Sequence, residues 1–539
     1  MCEQVKRVAS AGVMCLALLA LAVSVSGQDL SAGGTGGQAS AGPVVKRLSV
    51  NDAVQLALEQ NLDLQVQRVN PQVQDLNFAS LRTFYTPNLT SSFSSGGTDS
   101  PAGNIFSGTG STQTNTSLNW SVGASQQLPW GGNYSASWTG SRAKSNSLFD
   151  NINPRLNSGL NLSFTQPLMR NFGIDSTRQQ LIVNRKNREI SDVQLRQMVL
   201  TTVRNVKSAY WDLSYYTSLL AVQRQSLDLA RESLRNNESR VRIGTMAPID
   251  IIQAQAEVAS REEAVISAEA ALARAEDTFR TLIMDPQATP DFWKITFELS
   301  ESPNFEARDV DADAAVQAAL AKRTDLINQR KSLEINDVTL RYMRNQILPD
   351  VNVNARYGLS AQGGSLLGYD YSNVLNPVYL GVTDQVGFGS IMKSLVKNDF
   401  PAWSFAVSIA YPIGKSTAEA SLARARLQYG QAQTQLRTAE LTVATQVRDA
   451  ARQVNANAKR VGSTRASREL QEKKLEAEQK KFAAGLQTTF FVLQAQRDLA
   501  QARNAELQAI LDYTRSLVNF ETVQEAPVGG SSGGGIIIQ

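Results

Sequence analysis

Arg242-Ile-Gly-Thr-Met-Ala-Pro-Ile-Asp-Ile-Ile-Gln-Ala-Gln255 returns 241 residues later as Ala483-Ala-Gly-Leu-Gln-Thr-Thr-Phe-Phe-Val-Leu-Gln-Ala-Gln496. The same offset relates Gly244 to Gly485, Val206 to Val447, Leu234 to Leu475 and Gln253 to Gln494. An ungapped match of that length means that one supersecondary unit has been used twice.

Working outward, Ala53-Val-Gln55, Leu58, Asp63-Leu64 and Pro87 answer to Ala315-Val-Gln317, Leu320, Asp325-Leu326 and Pro349 at an offset of 262. Pro167-Leu168 then matches Pro412-Ile413 at 245, so the first copy carries 17 extra residues between its prolines. The chain divides into a first repeat, 48–285, a bridge, 286–309, and a second repeat, 310–523, with flexible tails expected at 27–47 and 524–539.

Between Gly173 and Gly244 there is neither proline nor glycine, and Val199, Val203, Val206, Tyr210, Leu213 and Leu220 step mostly by three and four. That pattern predicts one helix of roughly 100 Å at 1.5 Å per residue. Ile251, Val258, Val265, Leu272 and Phe279 then follow at sevens until Pro286, predicting a helix of about half that length. The second copy repeats the pair over 416–483 and 488–523, and further half-helices are expected near 49–84 and 312–347. Rods this thin must pack their apolar stripes against other copies.

Between half-helix and long helix the period changes to two. Leu89–Phe93, Leu160–Thr165, Val351–Ala355 and Phe405–Tyr411 alternate apolar with small or polar residues. Pro87, Pro167, Pro349 and Pro412 punctuate the helix–strand junctions, where a fixed φ and a missing donor end one element. One apolar and one Ser/Asn/Thr/Ala face suits a barrel strand between lipid and water.

There is no histidine in 539 residues, which removes His triads and HExxH zinc sites; no cofactor or metal site is expected, and an enzyme is disfavoured. Cys2 and Cys15 fall in a segment with Lys6, Arg7 and an apolar run from Ala11 to Val25, which reads as a signal peptide, 1–26. No later stretch is long and apolar enough for a membrane helix, so a spanning structure must be a closed barrel. The net charge of +4 gives no reason to expect nucleic acid.

The duplicated order of half-helix, strands, long helix, glycine turn and half-helix resembles the TolC-like outer-membrane efflux proteins of Gram-negative bacteria. Val241-Arg-Ile-Gly-Thr with Pro248, Asp250 and Gln253-Ala-Gln255 is similar to the family's turn between long and short helices. The second copy keeps Gly485 and Gln494-Ala-Gln496 but has Phe491 where the first has Asp250. The resemblance implies a mainly α fold with a membrane β-barrel portion. A homotrimer would share one barrel in outer-membrane lipid and build an α-barrel tunnel across the periplasm.

It also implies partners: a periplasmic adaptor (membrane fusion protein) and an inner-membrane RND or ABC transporter. The docking tip would comprise Arg242, Gly244, Thr245, Met246, Pro248, Asp250, Gly485, Leu486 and Gln487. The function implied is export of small molecules or proteins, the alternative being a non-transporting periplasmic or surface coiled-coil scaffold. Near the tip, Glu238, Arg240, Lys473, Lys474, Glu476, Glu478, Lys480 and Lys481 read as solvated helix faces.

The extra residues of the first copy contain two alternating runs around Pro129-Trp-Gly-Gly132. The favoured expectation is an extracellular hairpin folded over the mouth of a twelve-stranded barrel. The other disposition puts both runs in the wall and the short turn on the periplasmic side, giving eighteen strands.

Overall fold

The computed structural model describes residues 45–528, apart from 102–111, 148–149, 303–304, 371, 373–377 and 415. The expected signal peptide, the tail up to 44 and the tail beyond 528 lie outside the described residues.

The two repeats match in their long helices and half-helices and differ in the strands between them. The first has β1 (Val45–Leu48), α1 (Val50–Gln60), α2 (Leu62–Arg82), four strands, α3 (Ser176–Arg242) and α4 (Ile249–Ile283). The second has α5 (Ala312–Lys322), α6 (Thr324–Gln346), its strands, α8 (Thr417–Ala483) and α9 (Thr489–Val523). Both long helices have 67 residues and both tip-proximal half-helices have 35, so the long ones extend about 100 Å.

Each expected half-helix at 49–84 and 312–347 is broken, at Asn61 and Arg323. These are equivalent positions, 262 apart. Asn61 has a β-region backbone, and its side chain accepts from Leu64 N while donating to Leu282 O. Arg323, 1 % exposed, bonds Asp325 and donates to Val523 O. Each break therefore spends a polar side chain on the last turn of the partner half-helix.

The core follows the duplicated positions. Ala53, Ala57, Val206, Tyr210 and Phe279 pack in one cluster; Ala315, Ala319, Val443 and Val447 pack in the other, with Phe520 against it. Alanines at i and i+4 let the short helix approach the long one closely.

Two tail boundaries are corrected. Val45–Leu48, assigned mostly to the N-terminal tail, pairs in parallel with β6 (Thr296–Leu299) of the bridge. Residues 524–528 do not begin a free tail: Ala526 is fully buried, Glu525 O accepts from Thr324 N at 2.9 Å, and Val528 packs on the second cluster.

The strands form one antiparallel sheet. β2 (Asn88–Pro101), β3 (Thr112–Gln127), β4 (Asn133–Ser145), β5 (Ile152–Pro167) and β7 (Asp350–Asp370) neighbour in that order. β7 then pairs along 350–359 with β9 (Pro401–Ala410) and along 364–370 with β8 (Val378–Val386). Between β8 and β9 the chain leaves the sheet as α7 (Phe388–Lys397), whose Ile391 and Leu395 are buried against it.

The favoured disposition of the extra hairpin is thereby overturned. Both runs are wall strands, β3 pairing β2 and β4, and β4 pairing β5. Gly131, with φ +91°, shows where the turn lies: an added Cβ would stand 2.7 Å from Arg178 Nη2 and 2.9 Å from Asn171 O. Those groups sit at the start of α3, so the turn is at the helical end of the sheet. Gly140 explains the fit across β3 and β4, because Trp120 lies where its Cβ would be, 2.2 Å from a ring carbon.

Candidate functional site

Register divides the sheet into two chemically distinct faces. Phe93, Trp120, Gly140, Ser158 and Ala361 stand in one row and share one face. Along the strands that face continues with Leu89, Val122, Trp138, Leu160, Phe164, Val353, Phe405 and Val407. The opposite face carries Ser92, Ser121, Ser135, Ser163, Asn161, Asn354 and Ser408. Its hydroxyls pair across strands, Ser92 with Ser121 at 2.8 Å and Ser135 with Ser163 at 2.7 Å, while Thr165 donates to Asn354. One apolar face and one polar face follow from the alternation.

Both edges of this sheet are open. Every residue of β2 and every residue of β9 is exposed. Backbone donors and acceptors left unpaired in hydrocarbon cost several kcal/mol each (~).

Pro87 and Pro349 stand just before β2 and β7, Pro167 ends β5, and Pro412 follows β9. The junction is braced by hydrogen bonds between copies. Leu168 N donates to Val351 O, Asn171 N to Asn345 Oδ1, and Arg170 pairs with Asp350 at 2.8 Å.

At the far end of the long helices, both glycine turns have the same closure. Gly244 and Gly485 have φ of +77° and +76°. Thr245 N donates to Arg240 O and Gly244 N to Val241 O; Leu486 N donates to Lys481 O and Gly485 N to Phe482 O. This is the Schellman arrangement, which needs a left-handed residue just past the helix.

Arg242, Gly244, Thr245, Pro248, Gly485 and Leu486 are exposed, whereas Met246, Asp250 and Gln487 are half-buried. The turns lie side by side: Thr489 Oγ1 reaches Met246 Sδ at 4.0 Å, and Arg240 stacks over the Phe482 ring at 4.5 Å. Arg497 reaches across to the buried Glu257 at 2.6 Å.

Sequence reasoning named Leu486 but missed the other apolar residues of this end. Ile243, Ile249, Ile252, Leu486, Phe490 and Phe491 are 48–78 % exposed. The signal was present in the quoted segments, since Ile249 and Phe490 are equivalent positions and both are large and apolar. The lysines nearby are paired, Lys474 with Asp498, Lys480 with Glu476 and Lys481 with Glu478.

Higher on the helices, salt bridges tie α3 to α6 and α8 to α9. Glu189 takes Lys331 at 2.7 Å and Lys186 at 3.3 Å. The Lys331 hydrogen bond, aided by Lys186, holds its carboxyl below the ordinary 4.5 against the effect of burial. For Glu472 burial pushes upward, but hydrogen bonds from Arg503 and Arg468 together leave it below 4.5. No group of His, Cys, Asp and Glu among the described residues could hold a metal ion, and no helix among them is long and apolar enough to cross a membrane.

The pattern of the outer membrane efflux protein family matches residues 133–283 and 315–523, well over half of the chain. The chain belongs to this family. It is an outer-membrane channel protein extending into the periplasm rather than an enzyme. No curated protein matches it by sequence.

The efflux-family fold is shared with solved channels of low identity. The Campylobacter jejuni CmeC outer membrane channel is 14 % identical with a TM-score of 0.61, covering 88 % of this chain and 85 % of its own. The Vibrio cholerae outer membrane protein VceC is 14 % identical with a TM-score of 0.60, covering 88 % and 96 %. The open-state Neisseria gonorrhoeae MtrE channel is 16 % identical with a TM-score of 0.59, covering 88 % and 89 %.

Proposed function

We propose that three copies of this efflux-family chain join edge to edge into one export duct. An inner-membrane RND or ABC transporter would drive it through a periplasmic adaptor to expel small molecules or proteins. The single observation that carries the reading is the sheet, seven strands in six positions because β8 and β9 share one side of β7, polar on one face and apolar on the other, with both edges unpaired. A sheet cannot end in a bilayer, and three such sheets supply eighteen strands, joining β9 of one copy to β2 of the next. The long helices would then assemble into a tunnel continuous with the barrel lumen.

The exposed glycine turns, with Ile243, Ile249, Leu486 and Phe490, form the surface proposed for the adaptor. Arg242, Gly244, Thr245, Met246, Pro248, Asp250, Gly485 and Gln487 complete it. Mass measurement in detergent together with conductance in planar bilayers tests the duct. A trimer that conducts is expected. A monomer, or an assembly that seals no current path, would favour a non-transporting scaffold instead.

A further inference from the structure

The fourteen residues 387–400 interrupt an otherwise continuous edge strand, and they fold onto the apolar face of the sheet. Phe388 meets the Trp120 ring edge-on at 5.6 Å, Met392 Sδ lies 3.9 Å from Ser158 Oγ, and Ile391 fills the space left by Gly363. The surface beneath is cut to fit, with Gly140, Ser158, Ala361 and Gly363 where neighbouring rows carry Leu or Trp.

Opposite the buried face, α7 presents Val396, 84 % exposed, and Lys393 and Lys397, with Phe400 just beyond, 64 % exposed. Asp399 is the one acid of the segment. Arg142 occupies the same row as Leu156 and Gly363, and Lys144 lies one step outward on the same face. All four basic residues are exposed, and none has an ion pair among the described residues.

Below that row no residue on this face of any described strand is charged. Val351 to Gly363 spans about 40 Å along the strand, or about 30 Å of height at a tilt near 40°. That is the thickness of a hydrocarbon core. The charges therefore stand at its outer edge, where an unpaired ammonium inside the core would be costly.

We propose that α7 is an interfacial helix on the lipid side of the barrel. Lys393 and Lys397, with Arg142 and Lys144, bind the phosphate-bearing headgroups of the outer leaflet. Val396 and Phe400 enter the acyl boundary below them, while the lysine stems reach up to the phosphates. The assignment rests on the channel reading, because it requires the apolar face to meet lipid.

Two measurements on the full chain test it. Purified channel in a neutral detergent is melted with diphosphoryl lipid A or with phosphatidylcholine. Lipid A is expected to raise the melting temperature by several degrees, phosphatidylcholine not. The rise should be lost in Lys393→Gln/Lys397→Gln and kept in Lys459→Gln/Lys473→Gln on the periplasmic helix. An equal rise in the α7 double variant, or no selectivity for lipid A, would overturn the proposal.

The second places bimane on Val396→Cys, with Phe405→Cys and Ser404→Cys as references for the two faces, after reconstitution. Emission like that at 405 is expected. If 396 emits like 404 while the channel conducts, the helix assignment falls and the duct survives. If 404 and 405 emit alike, the barrel wall itself is wrong and takes this proposal with it.

Discussion

Tyr210 and Tyr513 hold two points of the bridge between the repeats, each accepting from a bridge amide and donating to a carbonyl. Tyr210 Oη accepts from Glu301 N and donates to Leu48 O; Tyr513 Oη accepts from Arg308 N and donates to Glu306 O. Both rings are essentially buried. They come from non-equivalent helices, α3 and α9, so the clamp arose outside the duplication.

Removing either hydroxyl leaves a bridge amide without its partner; at Tyr513 the Glu306 carbonyl loses its donor too, whereas Leu48 O keeps Ser300 N and Oγ. Tyr210→Phe and Tyr513→Phe should each cost about 1–3 kcal/mol. They act on one segment, so the double variant should fall short of the sum of the singles. Thermal melts of the four combinations test this. Strict additivity would mean that the two points of the bridge are held independently.

How far the fold could be read from sequence depends on how local its cause is. The long helices were legible because 3.6-residue periodicity runs unbroken between Gly173 and Gly244. The breaks at Asn61 and Arg323 were not, since the determinant is a hydrogen bond to the end of another helix. α7 was hidden for the same reason: its seat is Gly140, Ser158 and Gly363, brought together only by strand register. At the tip the glycines were readable from their position after a long helix. The apolar surface around them was visible in composition but not in exposure.

The turn at 129–132 offers a direct check on the path of the wall. Trp130, 55 % exposed, is a better probe than Gly131, whose left-handed φ disfavours a side chain. A membrane-impermeant thiol reagent should leave Trp130→Cys unmodified in intact cells and label it once the outer membrane is opened. Labelling in intact cells would put the turn outside, and the hairpin out of the wall.

Charge at the tip should separate coupling from folding. Leu486→Glu and Ile243→Glu alter exposed side chains, so melting temperatures should move by less than about 0.5 kcal/mol equivalent, while export in cells falls sharply. Gly244→Ala instead strains a left-handed turn by about 1–2 kcal/mol without adding charge. If the glutamate variants assemble and still export fully, the adaptor does not bind here.

The last prediction concerns acid. Glu189 and Glu472 both titrate below the ordinary 4.5 in the folded chain, through Lys331 with Lys186 and through Arg503 with Arg468. A carboxylate with a depressed pKa stabilises fully above its unfolded value, and that contribution is lost as pH falls through the folded value. The helical contacts between α3 and α6 and between α8 and α9 should therefore hold from neutrality to about pH 5 and weaken below about pH 4.5. In Glu189→Gln/Glu472→Gln the melting temperature should start lower at pH 6 and fall less steeply, so that the two curves converge towards pH 3. Parallel curves throughout would show that these ion pairs contribute nothing to the acid response, as solvent-screened surface pairs often do not.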